Sequence, residues 1–95
     1  MQGNYKVITL QMFDYTVAKE NSPKVFKEAC RIISSSRPDY TAHPLLIDVD
    51  GSTIQVFEKG AKEIRVYDDY DIGAVFIISS ERLEKEIAAL TGNAE

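Results

Sequence analysis

The sequence contains few of the side chains on which nucleophilic and metal-dependent enzymes rely. Its 95 residues include one cysteine, Cys30, one histidine, His43, and no tryptophan. A single cysteine excludes an intramolecular disulfide, so we expect a reducing, cytoplasmic environment. Catalytic triads and zinc sites need further histidine or cysteine ligands, which this chain lacks. We therefore interpret Cys30 as a small core residue and His43 as a surface loop residue.

Long apolar runs and an excess of positive charge are also missing. The longest apolar run, Ala74 to Ile78, is far shorter than the roughly 20 residues needed to span a bilayer. The first residues do not combine a charged segment with an apolar one, as a secretion signal would. There are 11 Lys and Arg residues against 15 Asp and Glu residues, a formal net charge of −4. Proteins that neutralise phosphates carry the opposite excess, so we expect neither a membrane nor a direct nucleic-acid partner.

The glycines do not form a loop that could hold a phosphate group. Gly51, Gly60 and Gly73 are far apart, and each stands at a predicted turn. Phosphate-binding loops instead place several glycines at close, fixed spacing before a helix. We expect no bound cofactor.

The residues that are present indicate one globular α+β domain covering residues 1–95. A chain with 44% hydrophobic and 27% charged residues has an ordinary globular composition, and one of this length builds a single core. Alternating apolar residues predict a strand over Tyr5 to Phe13, followed by a loop over 14–21. Ser22-Pro23 indicates a helix start, and Arg37-Pro38 its end, before a second loop over 38–44.

Two turns predict a three-stranded antiparallel meander over residues 45–67. Asp50-Gly51 is typical of a two-residue type I′ turn, which places Ile47 opposite Ile54. A three-residue loop, Lys59-Gly60-Ala61, then places Val56 opposite Ile64. The apolar side of this register is expected to face the core.

A last strand and a last helix complete the predicted order β-α-β-β-β-β-α. The strand covers Ala74 to Ile78, is apolar on both faces and is expected to be interior. Ser79 or Ser80 is expected to cap the helix, and Gly92 to end it. Each helix has one apolar stripe, so we expect both helices on one face of the sheet and the other face open.

The open face is the predicted functional surface. With the expected register it carries apolar and aromatic residues around an arginine, namely Leu46, Phe57, Arg65 and Tyr67. Such residues are enriched at the centres of protein interfaces. Coverage of this face by one of the chain's own loops is the alternative interpretation. If the face is an interface, a symmetric homodimer is the commonest outcome.

The segment Leu45 to Ser52 resembles the first motif of haloacid-dehalogenase-type phosphatases, in which an apolar strand precedes Asp-x-Asp-Gly-Thr. The resemblance implies a nucleophile at Asp48, an acid/base at Asp50 and a bridging magnesium ion. It covers about eight residues, and Ser52 stands where the family has threonine. The chain is also too short for the family's Rossmann-like core. We interpret the segment as a hairpin, because a tight turn itself requires Asp-Gly.

The acidic loop at residues 68–71 is predicted to contact a partner with a basic surface through Asp68, Asp69 and Asp71. The alternative is a divalent-metal site, with Asp48, Asp50, Asp68 and Asp71 as its weak candidates. We therefore expect a non-enzymatic interaction domain, accessory, immunity-like or inhibitor-like, that acts as a homodimer. The alternatives are a small metal-dependent enzyme and a regulatory domain that senses a small molecule in an apolar pocket.

Overall fold

The computed structural model describes residues 12–91 as one six-stranded antiparallel sheet with two helices. The elements in chain order are β1 (Phe13–Ala18), α1 (Pro23–Ser36), β2 (Thr41–Ala42), β3 (Leu46–Ile47), β4 (Thr53–Lys59), β5 (Lys62–Asp69), β6 (Ala74–Ser79) and α2 (Glu84–Thr91). The sheet order is β1-β6-β5-β4-β2, and β3 also pairs with β4. The predicted α+β class with a single antiparallel sheet is confirmed.

Helix α1 begins and ends at the predicted residues. The Ser22 side chain accepts a hydrogen bond from the Val25 amide at 3.1 Å, and Pro23 occupies the first turn. The helix ends where the Arg37 amide donates to the Ile33 carbonyl at 2.8 Å. This capping satisfies backbone groups that have no partner within the helix.

The core lies between one face of the sheet and the two helices. Helix α1 packs on β5, α2 packs on β1, and the helices contact each other. The core residues are Phe26, Ala29, Ile33, Phe57, Ile64, Val66, Val75, Ile77 and Leu83. Both helices therefore cover the same face of the sheet, as predicted.

The turn between β3 and β4 contains three residues, so the predicted two-residue turn is wrong. The Asp48 amide donates to the Ser52 carbonyl at 2.8 Å, and the Gly51 amide donates to the Asp48 carbonyl at 3.0 Å. Gly51 alone takes a positive φ, of 91°, as in a three-residue hairpin that ends in a left-handed glycine. Leu46, rather than Ile47, consequently lies opposite Ile54.

The turn between β4 and β5 contains two residues rather than the predicted three, because Lys59 pairs with Lys62. Phe57 therefore lies opposite Ile64, and Val56 lies opposite Arg65. A shift of one residue moves every side chain of a strand to the other face of the sheet. Phe57, predicted on the open face, is in fact 3% exposed and belongs to the core.

Three further boundaries differ from the prediction. Most of the predicted loop at 14–21 is strand β1, and the predicted loop at 38–44 contains the short strand β2. Helix α2 begins at Glu84, because the Ser79 hydroxyl bonds to the backbone of Glu81 and forms a local turn there. The predicted strand over Tyr5 to Phe13 lies almost wholly outside the described residues, as does Gly92. Between residues 12 and 91, neither helix is long and apolar enough to cross a membrane.

Candidate functional site

An apolar row crosses four strands on the face of the sheet opposite the helices. Phe76 pairs with Tyr67, Tyr67 pairs with Ile54, and Ile54 pairs with Leu46. Directly opposite residues in a sheet point to the same side, so these four side chains form one continuous line. We call them the apolar row. Both described helices pack on the other face, so neither helix covers it.

One end of the apolar row is a stacked pair of aromatic rings. The centroids of Tyr67 and Phe76 are 4.7 Å apart, and their planes differ by 13°. A stacked pair is stiff because each ring restricts the rotation of the other. It presents a flat apolar surface that a partner could contact without ordering loose side chains.

A second row, with mixed chemistry, lies beside the apolar row. Arg65 pairs with Val56 on one side and with Ile78 on the other. Its Nε donates to Glu63 at 2.8 Å, and its Nη1 lies 3.3 Å from the Tyr67 hydroxyl. The hydrogen bond with Glu63, followed by that with Tyr67, raises the pKa of Arg65 above its usual value. A charged guanidinium paired with a carboxylate thus stands beside the apolar row.

The structure places three of the four predicted face residues on the open face: Leu46, Arg65 and Tyr67. Phe57 is not among them, because its pairing opposite Ile64 turns its side chain toward the core. Sequence reasoning missed apolar residues of the same face, Ile54, Val56, Phe76 and Ile78. Two of these, Phe76 and Ile78, could have been predicted from the sequence. They belong to the run Ala74 to Ile78, which is apolar on both faces, and one face of the sheet was expected to have no helix to cover it.

The three predicted acidic contact residues occupy different environments. Asp68 is buried on the core side and accepts a hydrogen bond from Asn21 Nδ2 at 2.8 Å, so its predicted role as a contact residue is wrong. Asp69 Oδ1 accepts from the Ile72 amide at 2.8 Å and closes the turn. Asp71 is exposed at the end of the sheet. Only Asp69 and Asp71 therefore remain available to a partner.

Asp48 and Asp50 stabilise the β3–β4 turn through their own side chains. Asp48 Oδ1 accepts from the Val49 amide at 2.7 Å, and Asp50 Oδ1 accepts from the Ser52 amide at 2.9 Å. The hydrogen bonds from Ser52 lower the pKa of Asp50. Within residues 12–91, no three His, Cys, Asp or Glu side chains converge in a way that could hold a metal ion. The motif that resembles a phosphatase is thus the turn of a hairpin.

A groove of about 540 Å³ lies between the ends of the helices and is lined by Arg37, Asp39, Lys85 and Glu86 among others. Arg37 already donates to Glu86 and to Glu81 within the chain. The groove is open and carries four charged side chains, unlike the enclosed apolar pocket that a small-molecule sensor would need.

Comparisons with protein-family models, with curated proteins and with solved structures found no match for this chain.

Proposed function

We propose that this chain is a non-enzymatic protein-interaction domain that forms a symmetric homodimer through the open face of its sheet. The observation that carries the proposal is the apolar row, which the helices leave uncovered. Apolar patches of this kind on small domains mark interaction sites, since exposing them to water is unfavourable.

The pattern of charge on the open face is self-complementary. Arg65 and Asp69 flank Tyr67 on β5 at a spacing of two residues, so all three point to this face. When two copies face each other across a two-fold axis along the apolar row, Tyr67 meets Tyr67. Arg65 then faces Asp69 of the second copy, and the symmetry repeats this ion pair. Packed sheets lie about 10 Å apart, which an arginine and an aspartate span together.

The size of the patch predicts a modest affinity. The open face from β1 to β3 spans four strand intervals of about 4.8 Å, or about 19 Å, and residues 63–69 of β5 extend about 20 Å. A dimer through this patch would bury about 800 Å² in total, a size typical of weak, transient interfaces. We therefore expect dissociation constants in the micromolar range.

Charge exchange on the open face tests the proposal. In analytical ultracentrifugation across micromolar to millimolar concentrations, the wild type should pass from monomer to dimer. Arg65→Asp and Asp69→Arg should each weaken dimerisation about tenfold or more, because each places like charges opposite each other. The double variant should recover the dimer, because it exchanges the signs.

A matched control is available on the outer surface of α1, where Arg31 pairs with Glu28 at 2.5 Å. Arg31→Asp and Glu28→Arg change the net charge equally and should leave the dimer intact. A wild type that stays monomeric at every concentration would overturn the proposal. A dimer that is insensitive to the Arg65 and Asp69 exchanges would overturn it as well.

A further inference from the structure

Two turns lie side by side at one end of the sheet and form a single unit. They are the β3–β4 turn at 48–52 and the β5–β6 turn at 70–73, which we call together the tip. The Tyr70 amide donates to the Ser52 hydroxyl at 2.8 Å. A methyl group added to Gly51 would stand 2.9 Å from the Tyr70 ring, so the ring packs directly on this turn. These contacts join the two turns.

The tip exposes aliphatic side chains that contribute little to the fold. Val49, at the end of the hairpin, is fully exposed at 101%, and Ile72 in the neighbouring turn is 64% exposed. Turns are normally occupied by Gly, Asn, Asp, Ser or Pro, because those residues satisfy turn geometry or bond to the turn backbone. The side chains of Val49 and Ile72 can do neither. Two adjacent turns thus present apolar groups to the outside.

The charge of the tip is negative and is not neutralised within the described part of the chain. The carboxylates are those of Asp48, Asp50 and Asp71. None of them takes part in the ion pairs found between residues 12 and 91. The sequence has no Lys or Arg from 38 to 58 or from 66 to 81. Several acids elsewhere do have cationic partners, as Glu63 has Arg65.

We propose that the tip is a second docking surface, for a protein that offers an apolar socket rimmed by lysine and arginine. Val49 and Ile72 enter the socket, and the carboxylates of Asp50 and Asp71 pair with the rim. Apolar anchors surrounded by complementary charge are the usual composition of such contacts. The tip lies at the end of the strands rather than on the open face, so this proposal is independent of the homodimer.

The probe is a synthetic helical peptide with leucine on one face and lysine on the other, titrated into the full chain and followed by methyl and amide NMR. We expect the largest chemical-shift changes at Val49 and Ile72. Val49→Ser/Ile72→Ser and Asp50→Asn/Asp71→Asn should each weaken binding about tenfold. The first double variant loses the apolar contacts, and the second loses the charged contacts. A leucine-glutamate peptide should not bind.

The controls remove the same groups elsewhere. Met12→Ser removes an exposed apolar side chain, and Glu28→Gln/Glu84→Gln removes two exposed carboxylates; both should bind the peptide as the wild type does. Binding that responds to the aspartates but not to Val49 and Ile72 is general charge attraction and would overturn the proposal. Shifts centred outside the tip would overturn it too. Repeating the titration with Arg65→Asp separates this result from the fate of the dimer.

Discussion

Arg37, just after α1, and Glu86, on α2, form the ion pair that joins the two helices. Arg37 Nε lies 3.1 Å from Glu86 Oε2, and the Glu86 residue is 8% exposed. The Ser36 hydroxyl donates to the same carboxylate oxygen at 2.7 Å. Arg37 also pairs with Glu81 at 2.8 Å, and Tyr40 donates to Glu81. These contacts link the C-terminal end of α1 to α2 and to the segment that precedes α2.

The first prediction concerns this ion pair. Glu86→Gln should lower the free energy of unfolding by about 2 kcal/mol at pH 7, because hydrogen bonds to a charged acceptor are lost. Urea unfolding measures the change. The exposed neighbour Glu84→Gln, whose carboxylate contacts Arg82 at 3.1 Å, should change stability much less. Equal effects of the two substitutions would contradict the structural role of Glu86.

The second prediction concerns pH. Burial alone raises the pKa of Glu86, but hydrogen bonds from Ser36, from its own backbone amide and from Arg37 outweigh it and hold the pKa below the usual 4.5. A carboxyl with a lowered pKa stabilises the fold above its unfolded-state pKa. That contribution is lost as the pH falls below about 4.5 toward the pKa of the folded state. The stability difference between wild type and Glu86→Gln should therefore shrink between pH 6 and pH 3; a constant difference would refute this.

The third prediction concerns the β3–β4 turn. Gly51 has a φ of 91°, and an added methyl group would meet the Tyr70 ring, whereas Gly60 has a φ of 61° with nothing within 4 Å. Gly60→Ala should cost about 1 kcal/mol, the strain of a left-handed alanine. Gly51→Ala should cost about 2 kcal/mol or more, because a steric contact is added to the strain. Urea unfolding of the two variants gives the comparison, and the expected order fails if Gly60→Ala is the more damaging.

The fourth prediction concerns the buried carboxyl of Asp68. Asn21 Nδ2 donates to Asp68 at 2.8 Å and to the Asp69 carbonyl at 2.9 Å. Asn21→Ala should destabilise the fold by about 2 kcal/mol, because it leaves a buried acceptor without its donor. Asn21→Asp should be worse, since it places a second carboxyl against the first. Thermal unfolding at pH 7 checks the order, with the exposed Glu20→Ala as a near-neutral control.

The fifth prediction concerns Cys30. Burial raises the pKa of its thiol to about 12, and only the thiolate reacts with disulfide reagents. At pH 8 the folded protein should react with such a reagent about a thousandfold more slowly than free cysteine. The rate should recover in urea. Cys30 is partly buried against the core, and rapid modification of the folded protein would contradict a pKa raised by that burial.

Local signals in the sequence predicted the elements whose ends carry a cap or a glycine. Ser22-Pro23 predicted the start of α1 because capping depends only on neighbouring residues. The glycines at 51 and 60 predicted the positions of both turns of the meander. The start of α2 was predicted too early, because Ser79 is used in a turn rather than as a cap.

The sequence by itself determined the class of this protein: its small size, its apolar stripes and its Asp-Gly and Lys-Gly turns suffice for an antiparallel sheet with two helices. Only the tertiary structure decided which apolar side chains of β4 face the helices. Each turn differed by one residue from its expected length, and with a repeat of two residues along a strand such a difference exchanges the faces. Phe57 therefore entered the core beside Ile64, while Ile54 and Val56 joined Tyr67 on the open side.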